Sequence, residues 1–279
     1  MPIILLIVLR ILAFLAGFII VVGVLNSAIR SFVLPRSAPD NLAHVTFLGM
    51  RVLFGWRASK VSTYLERDRI MALFAPVSLV SLPAVWLAGI LLGYMGMFWA
   101  IQNNSLLGLF KVSGSSLFTL GYATLDDPLT TLLIFSEAAI GLFLIALLIA
   151  YLPTMYAAFS RREATVTLLE VRAGSPPSAI EMFKRYHRIH GMDQLHTVWA
   201  TWEAWFADLE ESHTSLGALV FFRSPQPQRS WVTAAGAVLD AASLAASTLD
   251  IPRDAQADLC IRAGFLALRS PRTVSYTHL

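Results

Sequence analysis

One segment in the first half of the chain has the composition of a site inside a membrane. Residues 102–129 are too apolar for an ordinary external loop and too short to cross a membrane, and they include a small, polar, glycine-bearing stretch. The pattern suits a half-buried helix that enters the membrane and returns as extended chain. Non-helical backbone at that depth is tolerated only where protein surrounds it or water fills a pore. The segment therefore predicts a re-entrant helix and loop.

Histidines in the second half of the chain are the other residues that could bind a ligand or take part in a reaction. Four of them could join nearby carboxylates in a metal site: His187, His190, His196 and His213, with Asp193, Glu203 or Glu210. No His-Glu-x-x-His or Cys/His cluster fixes a geometry, so solvated or core-edge histidines are the favoured interpretation. No phosphate-binding glycine loop or nucleophile elbow is present either. We expect no enzyme activity, no catalytic or metal site and no cofactor.

The composition is that of a membrane protein. The 279 residues are 56% apolar and 14% charged, with a mean hydropathy of +0.64. Soluble domains average about 45–50% apolar and about 25% charged residues. A wholly soluble protein and a disordered chain are excluded, and the lone Cys260 excludes a disulfide scaffold. A net charge of +3 gives little support for nucleic-acid binding.

Three apolar runs can cross a hydrocarbon core, which takes about 20 helical residues. They are residues 3–25, 70–100 and 129–151. The first run is longer than the roughly 7–15 apolar residues of a signal peptide, so we expect it to remain as a span. Residues 1–27 are thus predicted as an N-terminal transmembrane helix, and residues 156–272 as a helical domain.

The distribution of basic residues predicts the orientation. Residues 28–69 carry seven Lys/Arg and three Asp/Glu, whereas residues 102–129 carry Lys111 against Asp126 and Asp127. Because basic loops stay in the cytoplasm, the N-terminus is expected outside and the C-terminal domain inside, in a multi-pass cell-membrane protein. Within the basic linker, Asp40 can cap a helix that either lies in the membrane interface or packs as a connector.

The loop resembles the selectivity filter of potassium channels. Residues 119–124 read Thr-Leu-Gly-Tyr-Ala-Thr, follow Ser115 and Ser116 and precede a span, much like the family's Thr-Val-Gly-Tyr-Gly-Asp. Glu137, Gly141 and the sequence that follows also resemble bacterial proteins classed as potassium-channel-like or two-pore-domain-like. The resemblance implies that residues 70–155 form a pore unit of helix, pore loop and inner helix.

The resemblance also implies a function for the loop. In that family, rings of backbone carbonyls and the threonine hydroxyl replace the hydration shell of the ion. Carried over by position, the coordinating oxygens would come from Thr119, Leu120, Gly121 and Tyr122, with Ala123 next in the filter. One loop per chain implies a homotetramer, with membrane lipids as its other partners and potassium or another monovalent cation as the permeant ion.

Two residues depart from the family's pattern. Ala123 replaces a second glycine, and alanine in a left-handed conformation costs about 1–2 kcal/mol. Thr124 replaces the aspartate at the pore mouth, where Asp126 and Asp127 could restore a negative ring. A non-conducting membrane scaffold or sensor that keeps the pore-loop fold, and a weakly selective cation channel, are therefore the alternatives to a potassium channel.

Two residues of the last span and one just after it have candidate roles in the pore. Glu137 is predicted either to brace the filter from behind, through the pore helix or outer vestibule, or to lie near the outer interface in solvent. Gly141 and Pro153 are candidate hinges of a gating helix, and both could equally be packing features.

The C-terminal domain is predicted to be a helical bundle. Ser178 and Glu181 form a capping box, and Asp193 is expected to cap the next helix. That helix carries an apolar stripe of four aromatic residues, Trp199, Trp202, Trp205 and Phe206, which predicts a buried face. Residues 274–279 match the translation of a transposase sequencing adapter, so residues 273–279 are treated as an artefact and excluded.

Overall fold

The computed structural model describes residues 3–33, 40–124, 127–224, 226 and 229–269, which form helices with no β-strand among them. The α-helices, in chain order, are α1 (Ile3–Phe32), α2 (Asn41–Ser59), α3 (Tyr64–Ala72), α4 (Phe74–Ile101), α5 (Leu106–Leu117), α6 (Pro128–Ala173), α7 (Ala179–Arg188), α8 (Leu195–Ser215), α9 (Trp231–Ser247) and α10 (Ala255–Arg269). Two 3₁₀ helices cover Met192–Gln194 and Gly217–Phe221. The predicted all-α class is confirmed for the described residues.

Three stretches of helix are long and apolar enough to cross a membrane, in agreement with the predicted number. They are α1, the stretch Tyr64–Ile101 that contains α3 and α4, and α6. The second stretch consists of α3, which contains charged residues, and α4, which contains none. Its apolar run therefore lies mainly in α4. The adapter-like residues 273–279 lie outside the described residues.

The chain divides into two compact units. The first contains Met1–Met50 and Val77–Pro153, and the second contains Arg51–Pro76 and Thr154–Leu279. The division falls within α6, at Pro153. In the first unit α1 belongs with the helices around the candidate pore loop, and the second unit includes α3 from the basic linker.

Glycines allow α1 and α4 to pack closely in the first unit. A Cβ atom at Gly17 would lie 2.3 Å from the carbonyl oxygen of Gly93, and one at Gly93 would lie 2.9 Å from the carbonyl oxygen of Gly17. A Cβ at Gly89 would lie 2.8 Å from a methyl group of Val24. Small residues four apart are typical of close helix packing in membranes. Substitution of these glycines would force α1 and α4 apart.

Asp40 caps α2 and joins it to α1, which confirms the predicted cap. Its Oδ1 accepts a 3.1 Å bond from the backbone of Leu42, and its Oδ2 accepts bonds from the hydroxyls of Ser27 and Ser31 at 2.6 and 2.8 Å. The indole of Trp86 on α4 donates to Ser27 Oγ at 2.9 Å. These bonds hold the start of α2 against α1 and α4.

One face of α2 packs against the core of the first unit, with Leu42 and Phe47 partly buried there. Val52 and Trp56 on the same helix are exposed. Its early residues therefore act as a packed connector, and the interfacial role stays a prediction for the exposed face.

The aromatic stripe of α8 forms the core of the second unit, as predicted. Trp199, Trp202, Trp205 and Phe206 are all buried, and Trp202 and Trp205 have ring centroids 4.5 Å apart. The small residues of α9 and α10 complete this core, with Ala234, Ala241 and Cys260 among them. A continuous apolar face of this kind supplies most of the stability of a helical bundle.

Arg162 is buried in the second unit and anchors a 3₁₀ segment. Its guanidinium donates to the carbonyl oxygens of Leu219 and Phe222 at 3.1 and 2.6 Å, and forms a 3.0 Å ion pair with Glu163. Its own carbonyl accepts a 3.2 Å bond from the indole of Trp205. Burial, with a smaller contribution from the Arg162 charge, lowers the pKa of the neighbouring His213 to about 3.

The caps of the second unit follow the sequence pattern only in part. Ser178 Oγ accepts a 3.2 Å bond from the backbone of Glu181, so α7 begins as predicted. The expectation that Asp193 caps α8 is wrong. Asp193 lies inside the 3₁₀ turn Met192–Gln194, and Gln194 holds the N-cap position without a side-chain bond. The intervening turn moves the helix start beyond the reach of the aspartate.

Candidate functional site

The candidate pore loop, residues 118–124, follows the short helix α5. Ser105 is the N-cap of α5, and its hydroxyl accepts a 3.1 Å bond from the backbone of Gly108. The helix ends at Leu117 with Phe118 as its C-cap, and the chain then continues without regular structure. A short helix followed by non-helical backbone is the arrangement that the sequence predicts for this segment.

Ser115 holds the loop through both of its oxygen atoms. Its carbonyl oxygen accepts a 2.8 Å bond from the backbone of Leu120, and its hydroxyl accepts a 3.1 Å bond from the backbone of Ala123. Ser115 is itself buried. Because the loop folds back onto the last turn of α5, its conformation is fixed by local hydrogen bonds as well as by packing.

The backbone of the loop alternates in its first half only. Thr119 and Gly121 have positive φ angles of 54° and 71°, while Leu120 between them does not. Ala123 also lies outside the left-handed region. The strain predicted for alanine at this position is therefore absent in this chain, and the outer half of the loop departs from strict alternation.

Most residues of the loop are exposed in the single chain, whereas Ala123 is partly buried against the core of the first unit. Leu120 and Tyr122 are 63% and 65% exposed, and Thr119, Gly121 and Thr124 are exposed as well. Large apolar side chains exposed to this degree in a membrane-type unit require lipid or protein to cover them. Leu120 and Tyr122 are therefore candidates for contact with lipid or with another protein chain.

Glu137 on α6 is fully buried within the first unit. Its Oε1 accepts a 2.5 Å bond from the hydroxyl of Ser113 on α5, and that hydroxyl also lies 3.2 Å from the carbonyl oxygen of Leu91. Glu137 Oε2 has no hydrogen-bond partner among the described residues. Glu137 is thus buried against α5 and does not lie in solvent, and its role as a brace of the filter stays a prediction.

Further polar contacts join α4, α5 and α6 around the loop. The hydroxyl of Ser116 donates to the carbonyl oxygen of Ile134 at 2.6 Å, and the hydroxyls of Tyr94 and Ser136 lie 2.8 Å apart. Ser113, Tyr94 and Ser136 have no role that the sequence pattern predicts. The signal available was the cluster of serines at 113, 115 and 116 on one short apolar helix.

Gly141 contacts the end of α5. A Cβ atom there would lie 2.2 Å from the carbonyl oxygen of Leu117, so any side chain would displace the helix that precedes the loop. Helix α6 runs without a break through Gly141 and Pro153. This close contact supports a packing role for Gly141. The hinge role of Gly141 and Pro153 stays a prediction.

Asp127 caps α6. Its Oδ2 accepts 3.1 Å bonds from the backbone and the hydroxyl of Thr130, and that hydroxyl also accepts a 2.8 Å bond from the side-chain amide of Gln102. An aspartate directly before Pro128 is a strong helix-start signal that the sequence contained. Asp126, the other residue expected at the pore mouth, lies outside the described residues.

The histidines do not assemble a metal site in the part of the chain that the structure describes, where no group of three or more potential ligands occurs. His196 Nδ1 lies 3.0 Å from Asp254 Oδ1, and His213 packs edge-on against Trp231 with ring centroids 5.1 Å apart. His187 and His190 are exposed.

Comparison of this chain with protein-family models, with curated proteins and with solved structures finds no match. The interpretation of the loop therefore depends on its residues and geometry.

Proposed function

We propose that this protein is a subunit of a potassium-channel-like cation channel, in which four chains form one pore. The observation that supports this most is the loop at residues 119–124, which follows a short helix and is hydrogen-bonded to it by Ser115. Left-handed backbone at Thr119 and Gly121 is compatible with carbonyl groups that point to one side. Such carbonyls replace the water around a permeant cation.

Conduction needs four copies because one loop supplies only one side of an ion's coordination shell. In this proposal Leu120 and Tyr122, which are exposed in the single chain, pack against neighbouring subunits. The three apolar helices cross the cell membrane, with the N-terminus outside and the second unit in the cytoplasm, as the basic residues of 28–69 favour.

The helices behind the loop hold its position. Glu137 braces α5 through Ser113, and Gly141 lets α6 approach the end of α5. Both contacts fix the start of the loop, where Thr119 would place its hydroxyl and carbonyl oxygens. Passive ion conduction of this kind needs no cofactor.

The experiment is potassium flux in vesicles reconstituted with the purified full chain. We expect potassium uptake that is abolished by Thr119→Ala, because that substitution removes a coordinating hydroxyl. Thr131→Ala is the matched control. Its hydroxyl donates to the carbonyl oxygen of Asp127, the residue before α6, and Thr131 lies outside the loop, so flux should be retained. Absence of cation flux from a well-folded tetramer would contradict the proposal.

The backbone at Ala123 favours a second candidate, a weakly selective cation channel. Ala123 does not continue the alternation of Thr119 and Gly121, so the outer ion sites would be incomplete. This candidate predicts comparable sodium and potassium permeability in the same vesicles. A non-conducting scaffold or sensor predicts no flux of either ion.

A further inference from the structure

A cavity of about 360 Å³ lies within the second unit. Residues distant in sequence line it: α2 and α3 supply Arg51 and Tyr64, the start of α4 supplies Phe74, and the 3₁₀ segment and α9 supply Phe221 and Trp231. Its size is at the lower end of the range for small-molecule sites, roughly 300–1,000 Å³. None of the roles proposed above uses it.

The charged lining of the cavity is mostly basic. Arg51, Arg223 and Arg229 line it, with Asp68 as the one acidic residue in the lining. Arg223 Nη1 lies 2.5 Å from Asp68 Oδ1, and Arg229 forms an ion pair with Glu170. Arg51 forms no ion pair with the described residues. The cavity thus has an excess of positive charge that an anion would neutralise.

Two buried donors at the cavity lack partners within the described part of the chain. They are the hydroxyl of Ser224, on a residue 7% exposed, and Nε of Arg229. Buried polar groups are almost always hydrogen-bonded, since an unmade bond costs about 1–3 kcal/mol. A hydroxyl and a guanidinium N–H are donors typical of phosphate recognition.

Most of the remaining lining is apolar or aromatic, beside the polar Gln226 and Ser230. Met71, Phe74, Phe221, Phe222, Trp231 and Val232 form this part of the wall. An inorganic anion would leave that surface in contact with water, whereas an organic group attached to the anion would cover it. The lining therefore favours an anion that carries an apolar portion.

We propose that this cavity binds the phosphate group of an organic phosphate, with Arg51, Ser224 and Arg229 as donors and the aromatic wall against its apolar portion. Two sources share this chemistry. One is an anionic phospholipid headgroup, since Phe74 is the first residue of the apolar helix α4. The other is a soluble phosphate ester.

The experiment measures binding to the full chain in lipid nanodiscs. One arm compares nanodiscs that contain phosphatidic acid with nanodiscs of phosphatidylcholine alone, by native mass spectrometry. The other titrates phenyl phosphate, and separately inorganic phosphate, into the phosphatidylcholine nanodiscs by calorimetry. Retained phosphatidic acid identifies a lipid ligand, and tighter binding of phenyl phosphate than of inorganic phosphate identifies a soluble one.

Two variants test the assigned donors. Arg51→Gln and Ser224→Ala are each expected to weaken binding by about tenfold, because each removes a bond to a charged group. Ser224→Ala removes a hydroxyl without a described partner, so the thermal stability of the protein should not fall. Arg57→Gln is the matched control, because Arg57 is exposed on the same helix and does not line the cavity.

Binding of neither ligand would overturn the proposal. An equal loss from Arg57→Gln and Arg51→Gln would also overturn it, because it would show general attraction to a basic surface. Unchanged affinity for the phosphate ligand in both Arg51→Gln and Ser224→Ala would overturn the proposal as well. None of these outcomes depends on ion flux, so the site and the channel can fail separately.

Discussion

At residue scale, the conformation of the loop depends on which positions accept a left-handed backbone. Thr119 adopts it at φ 54° despite its β-branched side chain, and Gly121 adopts it without a Cβ penalty. Ala123 avoids it and donates instead to Ser115 Oγ. The left-handed conformations of the described loop therefore end at Gly121.

Ala123→Gly should raise the potassium-to-sodium permeability ratio of the reconstituted protein. Glycine removes a cost of about 1–2 kcal/mol for the left-handed conformation, and a tetramer contains four copies of the position. The ratio is measured from reversal potentials in planar bilayers under bi-ionic conditions.

Ala139→Gly is the control for that substitution, because Ala139 is exposed on α6 outside the loop. Its permeability ratio should equal that of the unsubstituted protein. An unchanged ratio in Ala123→Gly, with ion flux retained, would show that this position does not limit selectivity.

At the scale of helices, buried polar groups decide how the elements fit together. Ser113, Ser116 and Glu137 connect α5 to its neighbours in the first unit. Arg162 of α6 plays the same part in the second unit, where it bonds the segment that follows α8. Each connection replaces water around a backbone carbonyl or a carboxylate with a specific donor, so each is expensive to break.

Arg162→Met should lower the free energy of unfolding by on the order of 3 kcal/mol. It leaves the buried carbonyl oxygen of Phe222 without its described donor and removes one of the two donors to the carbonyl oxygen of Leu219, which keeps the backbone N–H of Phe222. Glu163 also loses its ion-pair partner. Arg161→Met is the matched control. Arg161 is 60% exposed and its ion pair with Asp208 is 3.5 Å long, so the expected change is below about 0.5 kcal/mol. Thermal melting of the full chain in detergent compares the two. Equal melting temperatures would contradict a structural role for the Arg162 bonds.

At the scale of the whole molecule, the proposed topology places two surfaces on opposite sides of the membrane. Leu106 at the start of α5 is expected outside, and Lys184 on α7 is expected inside; both are exposed. Cys260 is the only cysteine, and burial raises its pKa to about 12. The native thiol should therefore give little background in a labelling experiment.

Leu106→Cys should react with a membrane-impermeant maleimide on intact cells, and Lys184→Cys should react only after the cells are opened. Labelling is read by a mass shift of the purified protein. The reverse pattern would invert the topology. Labelling of the unsubstituted chain would instead show that Cys260 becomes accessible.

The three long apolar helices and the buried stripe of α8 could be predicted from the sequence, because each is a local pattern. An apolar run of sufficient length predicts a spanning helix wherever it occurs, and the spacing of Trp199, Trp202 and Phe206 predicts one buried face. Asp40 and Ser178 as caps follow from the residues next to them. The start of α8 could not be predicted in this way, because a 3₁₀ turn that contains Asp193 precedes the helix.

The sequence by itself determined an all-helical chain with three apolar helices, a loop of filter-like composition and a second region rich in charge. Only the tertiary structure decided which groups meet. The bond between Ser113 and Glu137 joins residues 24 positions apart, and Arg51 and Trp231 line the same cavity. Such partners follow from the packing of whole helices, which no pattern of neighbouring residues records.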